Sequence, residues 1–303
     1  MLNFKVQEAS PWTLMLDRNS LFGVNNTKVK PHSFESMPRL TWLATIAALS
    51  SVVLWFVGIS LAIISFNHNN AAPYSCWNHV ISELGFPYAS RLTWLFNGTL
   101  AIGGLLLLPT LYALGGYLRT RLGYAAAGFG FVTCLALSAV GMMGLKQDFL
   151  HAPYVFLRFL RMHLAVADVF FLAWLMTVTL FTIIFCRRWK DPASRPMALV
   201  GIICWLLYPT FFVVAFHANP MQAPLLKDLK DPAFRVLFNS PTSSSMLTPW
   251  LDSHRPPIWW PAALEWGLAW SMWLWYGTAL IFLWLKTKET DETADRGAVA
   301  SSL

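Results

Sequence analysis

Six long apolar runs constrain the fold of this chain more than any other feature. A helix needs about 20 predominantly apolar residues to cross the hydrocarbon core of a bilayer, and each run is long enough. A spanning segment must also satisfy its backbone hydrogen bonds internally, which an α-helix does. The predicted spans are Leu40–Phe66, Leu92–Tyr117, Leu122–Leu145, Met162–Cys186, Met197–Phe216 and Trp260–Leu285.

The composition supports the same class. Hydrophobic residues make up 56% of the chain and charged residues 12%, whereas a soluble domain carries about 25% charged residues. We therefore predict an all-α, polytopic membrane protein that forms a bundle of six transmembrane helices. The predicted domains are a cytoplasmic N-terminal tail (1–39), the transmembrane domain (40–286) and a disordered cytoplasmic tail (287–303).

The distribution of Lys and Arg predicts the orientation. Fourteen of these residues lie on the N-terminal side of the predicted spans and eight on the other side, and cytoplasmic loops carry the excess. Both termini are then cytoplasmic, and the membrane is the plasma membrane if the source is bacterial. The +7 net charge reflects this asymmetry, and no basic patch with interleaved aromatic residues indicates nucleic acid as a partner. The outer loops are residues 67–91, 146–161 and 217–259.

Ionisable residues collect on the predicted outer side. Asp168 and Glu265 lie within spans, where each charge costs about 2.5–3.5 kcal/mol on insertion scales. Intramembrane charge at this cost is a reason to expect a functional site. Six of the seven histidines map to the same side: His68, His79, His151, His163, His217 and His254.

The first outer loop contains the most distinctive stretch outside the spans, Asn78 to Pro87. It predicts a short helical turn, because Gly85 can provide the C-cap and Pro87 prevents continuation. Arg91 follows at the start of the second span, and Asn97 lies about a turn and a half further in.

Further along, the chain contains Phe96-Asn97-Gly98, Gly103-Gly104-Leu105, the glycines Gly141 and Gly144, and His163. Together with the stretch from Asn78 to Pro87, these residues resemble a six-span bacterial and archaeal family of unknown function, DUF 998. It is more distantly similar to the DRAM / FGF-receptor-activating-protein group. The resemblance covers roughly residues 78–186. It implies a six-helix bundle and no reaction, although some relatives of the wider group are linked to lipid-anchor remodelling and to membrane sterols.

The predicted site combines these residues. Asp168, His163 and Glu83 are the candidate catalytic residues. For Asp168, a structural ion pair with Arg91 or Arg161 is the alternative. His163 and Asp168 are five residues apart, about 140° around a helix, so they do not form a local metal motif. The candidate ligand-binding residues are His79, Ser82, Arg91, Asn97 and Glu265.

Three of the ligand-binding candidates have a plainer explanation. Glu265 lies among tryptophans near the end of its span, where its carboxylate can extend to the membrane–water interface. His79 and Glu83 share a face if the turn is helical, which would provide two ligands for a divalent metal, although an exposed loop pair is commoner. Ser82 has no nucleophile elbow around it, so a capping role is the safer interpretation. The cofactor is therefore unknown.

Three function classes remain open from the sequence. The first is a protein with a polar outer pocket that handles a lipid or lipophilic ligand, and as an enzyme it would be a membrane-embedded hydrolase or transferase acting on a lipid head group. The second is a non-catalytic accessory or scaffold subunit. The third, a transporter, has less support because no inverted repeat is visible. The expected partners are membrane lipids, with other membrane proteins as an alternative.

Overall fold

The structure is a computed structural model that describes residues 36–66, 74–85, 92–144, 153–216 and 256–302. Apart from Ser36, these residues belong to the unit Met37–Leu303, and the description concerns that unit. The predicted N-terminal tail lies almost wholly outside the described residues, as do most of the predicted outer loops.

The prediction of an all-α fold is confirmed. The described residues contain no strand, and their helices are α1 (Ser36–Ile64), α2 (Thr93–Leu106), α3 (Leu108–Leu118), α4 (Arg121–Gly144), α5 (Pro153–Arg187), α6 (Ser194–Phe216) and α7 (Trp260–Ser302), with a short 3₁₀ helix at Ile81–Gly85.

Six stretches of these helices are long and apolar enough to cross a membrane, which makes the chain an integral multi-pass membrane protein. They agree with the predicted spans to within a few residues, and they are Arg39–Ile64, Thr93–Leu118, Arg121–Gly144, Met162–Arg187, Ser194–Val214 and Trp260–Thr290.

The second span is interrupted, which divides it into α2 and α3. Pro109 lies in the first turn of α3. Proline has no amide hydrogen and its ring clashes with the carbonyl four residues earlier. Two backbone hydrogen bonds that span three residues, instead of the four of an α-helix, bridge the break. In these bonds the Leu107 amide donates to the Gly104 carbonyl, and the Thr110 amide donates to the Leu107 carbonyl. Pro209, by contrast, lies inside a continuous α6.

The helices pack in chain order. α2 packs against α4, α4 against α5, α5 against α6, and α6 against α7. α1 joins the second span through hydroxyl groups, since Ser51 donates to the Gly103 carbonyl at 2.9 Å and Thr99 to the Leu54 carbonyl at 3.3 Å. Trp55 of α1 contacts Trp273 of α7, so the first and last spans also meet.

Adjacent glycines allow α2 to approach two neighbours closely. A side chain at Gly103 would meet Ser51 of α1, and one at Gly104 would meet the Cys134 carbonyl and Ser138 of α4. Small residues at such positions are the usual means of close helix packing in membranes. Gly115 and Gly130 also lie at contacts, whereas Gly116 and Gly128 face open space.

One end of the bundle, where Arg187, Ser194 and Lys286 lie, is fixed by an ion pair. We call it the ion-pair end. Lys286 of α7 contacts Asp191 at 3.0 Å and Glu289 at 2.9 Å. Asp191 also accepts hydrogen bonds from the Ser194 hydroxyl and the Ala193 amide, which caps the start of α6. Burial alone would raise the pKa of Asp191, but these hydrogen bonds and the Lys286 charge outweigh it and lower the pKa.

The prediction of disorder from Thr287 onward is wrong, because α7 continues through Ser302. The threonines of this segment donate back along the helix, as Thr290 does to the Lys286 carbonyl and Thr293 to the Glu289 carbonyl. Lys288 and Glu292 add an i,i+4 pair. Such pairs support helical structure. They depend on the spacing of the residues, which a prediction of disorder from acidic and threonine content does not take into account.

Candidate functional site

The opposite end of the bundle encloses a cavity of about 140 Å³. We call it the cavity end. α1, α2, α4, α5 and α7 contribute to the wall, and the 3₁₀ helix Ile81–Gly85 contributes from the first loop. An apolar protein cavity of roughly 150 Å³ is large enough to bind benzene. The space therefore accepts an aromatic ring or a short alkyl segment, but not a whole phospholipid.

The lining changes character with depth. Polar side chains line its outer part: Ser82, Asn97, His163 and Glu265. On α5 the wall extends from His163 to Trp174, which is about 16 Å along a helix. Over that distance the lining becomes aromatic and aliphatic, with Trp55, Leu100, Leu137, Phe170, Phe171, Trp174, Met272 and Trp273. The cavity is thus amphipathic along its length.

The loop segment 74–85 packs onto the start of α7. The Trp266 indole N–H donates to the Tyr74 hydroxyl and to the His79 carbonyl, both at 3.2 Å. The Tyr74 hydroxyl in turn donates to the Val80 carbonyl at 3.1 Å. The amide of Trp259 donates to the Trp77 carbonyl at 2.8 Å. This segment is therefore anchored at several points, and it places Ile81, Ser82 and Gly85 against the cavity.

Tyr74 is the central residue in the hydrogen bonds that hold segment 74–85 against α7. Burial raises the pKa of Tyr74 well above its usual value, and the nearby charges of Glu83 and Glu265 raise it further. The phenol therefore remains a neutral hydrogen-bond donor. The sequence prediction did not include Tyr74, since a single tyrosine in a loop gives no signal of its contact with Trp266.

Two acids lie together behind this loop. The Glu265 carboxylate accepts hydrogen bonds from the backbone amide and the hydroxyl of Ser82, and it lies within the electrostatic field of Glu83. Glu83 is buried, whereas Glu265 is half-buried and lines the cavity. Ser82 thus serves as a hydrogen-bond donor to Glu265, a role that differs from both the capping and the nucleophile roles considered from the sequence.

Asn97 joins the loop to the bundle. Its side-chain amide donates to the Gly85 carbonyl at 3.0 Å. A side chain at Gly144 would collide with the Asn97 amide, and one at Gly141 would collide with the backbone of Asn97 and Ala101. Three glycines of the family resemblance, Gly85, Gly141 and Gly144, therefore all lie against Asn97.

The structure separates His163 from Asp168. His163 lines the cavity, whereas Asp168 is exposed and lies near Tyr208 of α6. At about 100° per residue, Ala167, Phe170 and Trp174 follow His163 on one face, and Asp168 points about 120° away from the centre of that face. The prediction that Asp168 converges on the outer pocket is wrong, and its candidate catalytic role there is not supported.

The other predicted residues have different positions. His79 is fully buried and does not line the cavity. Its ring stacks on Tyr74, and its Nδ1 accepts a hydrogen bond from the Ser75 amide at 3.3 Å. Arg91, His68, His151, His217 and His254 lie outside the described residues.

No group of three or more potential metal ligands occurs among the residues that the structure describes. His79 and Glu83 therefore do not form part of such a cluster there. The four cysteines are free, with Cys76 and Cys186 exposed and Cys134 and Cys204 buried.

The deep part of the cavity was not predicted. Its signal is nevertheless present in the sequence, because Ala167, Phe170, Phe171 and Trp174 recur at helical spacing after His163. The same spacing is found on any buried face of a helix. Only the positions of α1, α4 and α7 show that this face borders a space rather than a packed core.

No family model matches the chain, and neither a curated protein nor a solved structure matches it. The resemblance to DUF 998 therefore stays a prediction, and the functional argument depends on the geometry of the cavity end.

Proposed function

We propose that this protein binds a lipid or another lipophilic molecule in the cavity between its helices. The observation that carries the proposal is the change in the lining, from Ser82, Asn97, His163 and Glu265 at the outer part to aromatic side chains further in. Ligand sites are usually apolar cavities with a few convergent polar groups. An amphiphile matches this arrangement, with its polar end at the mouth and its apolar part among the rings.

The proposal concerns binding rather than catalysis. The predicted catalytic set depended on Asp168, which lies outside the cavity. Membrane lipids are the proposed partners, since the bilayer surrounds the bundle and is the nearest source of amphiphiles. The proposed membership in the DUF 998 family is compatible with this role, because several residues that carry the resemblance line the cavity, among them Ser82, Asn97 and His163.

A cavity-filling substitution tests the proposal. Ala167→Phe places a ring in the cavity, whereas Ala165→Phe adds the same ring to the exposed side of α5. The protein, reconstituted in phosphatidylcholine nanodiscs, is photolabelled with a 16-carbon alcohol that carries a diazirine, and the labelled peptides are mapped by mass spectrometry. We expect Ala167→Phe to reduce labelling of the cavity-lining peptides at least about tenfold, the equivalent of 1.4 kcal/mol.

The Ala165→Phe variant should label like the wild type. Equal labelling of the cavity-lining peptides in all three proteins would contradict the proposal, because the probe would then be reporting only general contact with the bilayer. A thermal unfolding curve for each variant confirms that the three proteins are folded at the labelling temperature.

We also propose that both termini are cytoplasmic, which places the cavity end outside. The excess of Lys and Arg on the N-terminal side supports this orientation. Two exposed native cysteines test it, because Cys76 lies at the cavity end and Cys186 near the ion-pair end. A membrane-impermeant maleimide should label Cys76 in intact cells and Cys186 only after permeabilisation, with Cys76→Ser and Cys186→Ser as controls. The reverse pattern would show the opposite orientation.

A further inference from the structure

The connection between α5 and α6 lies at the depth of the lipid head groups, at the ion-pair end. One membrane-spanning stretch ends at Arg187 and the next begins at Ser194, so only residues 188–193 separate them. The connection is folded tightly, since the Asp191 amide donates to the Arg188 carbonyl at 2.9 Å and the Ser194 amide to the Asp191 carbonyl at 3.0 Å. A connection this short keeps its side chains within the polar layer of the bilayer.

The basic side chains of this region are not neutralised by acids. Three of them form no ion pair within the part of the chain that the structure describes, and they are Arg188, Lys190 and Arg195. The only acid of the connection is Asp191, which pairs with Lys286 at 3.0 Å and accepts hydrogen bonds from Ser194 and Ala193. The connection and the first turn of α6 therefore present positive charge that no described carboxylate balances.

Tyr117, near the end of α3, adds a hydrogen-bond donor beside this charge. Arg188 lies close enough to act electrostatically on the Tyr117 phenol. The Tyr117 ring packs edge-on against Phe282 of α7, with the ring centroids 5.2 Å apart, which fixes its position. The Tyr117 hydroxyl forms no hydrogen bond with any residue that the structure describes. A guanidinium and a phenol hydroxyl are thus both open to a ligand at the same membrane surface.

The remaining groups of the connection are held nearby. Arg195 Nε donates to the Trp189 carbonyl at 3.1 Å, which keeps Arg195 beside the connection although it belongs to α6. The Trp189 side chain is exposed, and tryptophan is the residue type that collects at the level of the head groups. The positive charges therefore lie where the phosphates of a bilayer lie.

An anionic phosphate complements these donors. The arginine fork binds a phosphate through two parallel hydrogen bonds, and a hydroxyl adds a third donor. Clusters of basic residues next to membrane spans attract anionic lipids. A phosphatidylcholine head group has the same phosphate but also carries a quaternary ammonium, which the unpaired cations repel. The surroundings thus favour a phospholipid with a net negative charge.

We propose that the connection between α5 and α6 binds the head group of an anionic phospholipid, with its phosphate held by Arg188 and the Tyr117 hydroxyl. Lys190 and Arg195 contribute further positive charge. This site lies at the opposite end of the bundle from the cavity and uses different residues, so it does not depend on the proposed binding function. It also goes beyond the excess of Lys and Arg that indicates the orientation, because it assigns the phosphate to two particular side chains.

The test compares two lipids that have the same acyl chains. The full-length protein in a neutral detergent is titrated with phosphatidylglycerol or with phosphatidylcholine, and the bound lipids are counted by native mass spectrometry. The first phosphatidylglycerol should bind the wild type at least about tenfold more tightly than the first phosphatidylcholine. Equal affinities for the two lipids would overturn the proposal.

Two variants address the proposed contacts. Arg188→Gln should weaken phosphatidylglycerol binding at least about fivefold and leave phosphatidylcholine binding unchanged. Tyr117→Phe keeps the ring against Phe282 and should weaken it about two- to threefold. Lys288→Gln is the matched control, because it removes one exposed positive charge from the same end, and Lys288 already lies 4.0 Å from Glu292. It should keep the wild-type affinities, and a thermal unfolding curve for each variant confirms that it is folded.

Two further results would contradict the assignment. If Lys288→Gln weakens phosphatidylglycerol binding as much as Arg188→Gln does, the attraction comes from the general charge of this end and not from a site. If a large molar excess of soluble glycerol phosphate displaces the bound lipid, the site recognises the phosphate alone, and the assignment to a membrane lipid is overturned. Retained lipid binding in that competition, together with the loss in Arg188→Gln, is the expected result.

Discussion

The two ends of the bundle use their polar residues in different ways. At the ion-pair end, Asp191 and Glu289 both pair with Lys286, and the adjacent interior is filled by Phe181, Phe185 and Phe282, all at most 1% exposed. At the cavity end, the polar groups face a space inside the helices. Paired surface charges together with a filled interior indicate a structural role, whereas polar groups around an internal space indicate a place for a ligand.

The largest expected effect compares two phenylalanines of α5. Phe181 is completely buried in contact with Phe185 and Trp275, whereas Phe170 lines the cavity. Phe181→Ala should lower the free energy of unfolding by about 3–5 kcal/mol, because it creates a void in a filled region. Phe170→Ala should cost less than half as much, since its ring already borders an empty space.

Equilibrium unfolding in detergent, by titration with a denaturing surfactant, measures both variants against the wild type. Equal losses for the two substitutions would remove the proposed difference between a filled end and a hollow end.

The next effect concerns the contact between α2 and α4. Gly141→Ala places a methyl group against the backbone of Asn97 and Ala101, which cannot move without shifting a helix. We expect a loss of about 1–3 kcal/mol, the usual cost of overpacking. Gly128 of the same helix faces open space, and Gly128→Ala should be neutral or stabilising by up to about 1 kcal/mol through helix propensity.

Thermal unfolding of the two alanine variants provides the comparison. If Gly141→Ala is as stable as Gly128→Ala, then α2 and α4 are not as closely packed around Asn97 as the structure shows.

A pH titration addresses the ion-pair end. The pKa of folded Asp191 is lowered from its usual value of 3.8, so its stabilisation is fully present above that value and is lost as the pH falls through the folded pKa. Asp191→Asn should be less stable than the wild type at pH 7 by about 1 kcal/mol, the typical net value of a partly exposed ion pair or hydrogen bond. The difference should shrink below about pH 4.

The melting temperatures of both proteins between about pH 2.5 and 7 provide the measurement. A difference that stays constant across this range would mean that the effect of the substitution does not come from the charge of Asp191.

The smallest effect belongs to the anchor of the first loop. Tyr74→Phe removes the hydroxyl that accepts from Trp266 and donates to Val80, at a cost of about 0.5–1.5 kcal/mol. Because these bonds hold segment 74–85, the change should appear as faster hydrogen exchange in that segment, while α5 and α6 exchange as in the wild type. Unchanged exchange would show that the aromatic contacts alone hold the loop.

Much of the architecture follows from the sequence alone. The six spans are visible because a bilayer imposes a minimum length on any apolar helix. The break in the second span is not, since Pro109 lies at a break whereas Pro209 lies inside a continuous α6. The sequence also places Asn97, Asp168 and Glu265 at similar depth, since depth depends only on counting residues from the end of a helix.

The tertiary structure decides which of those residues meet. Depth does not specify rotation about the helix axis, so Asp168 appears equivalent to Glu265 in the sequence although only Glu265 faces the interior. The role of His79 depends on Tyr74 and Trp266, which are distant from each other in the chain. The cavity itself is a relation among five helices and a loop, and no single segment encodes it. The sequence by itself determined the number, length and depth of the helices, and only their packing decided which polar groups line a common space.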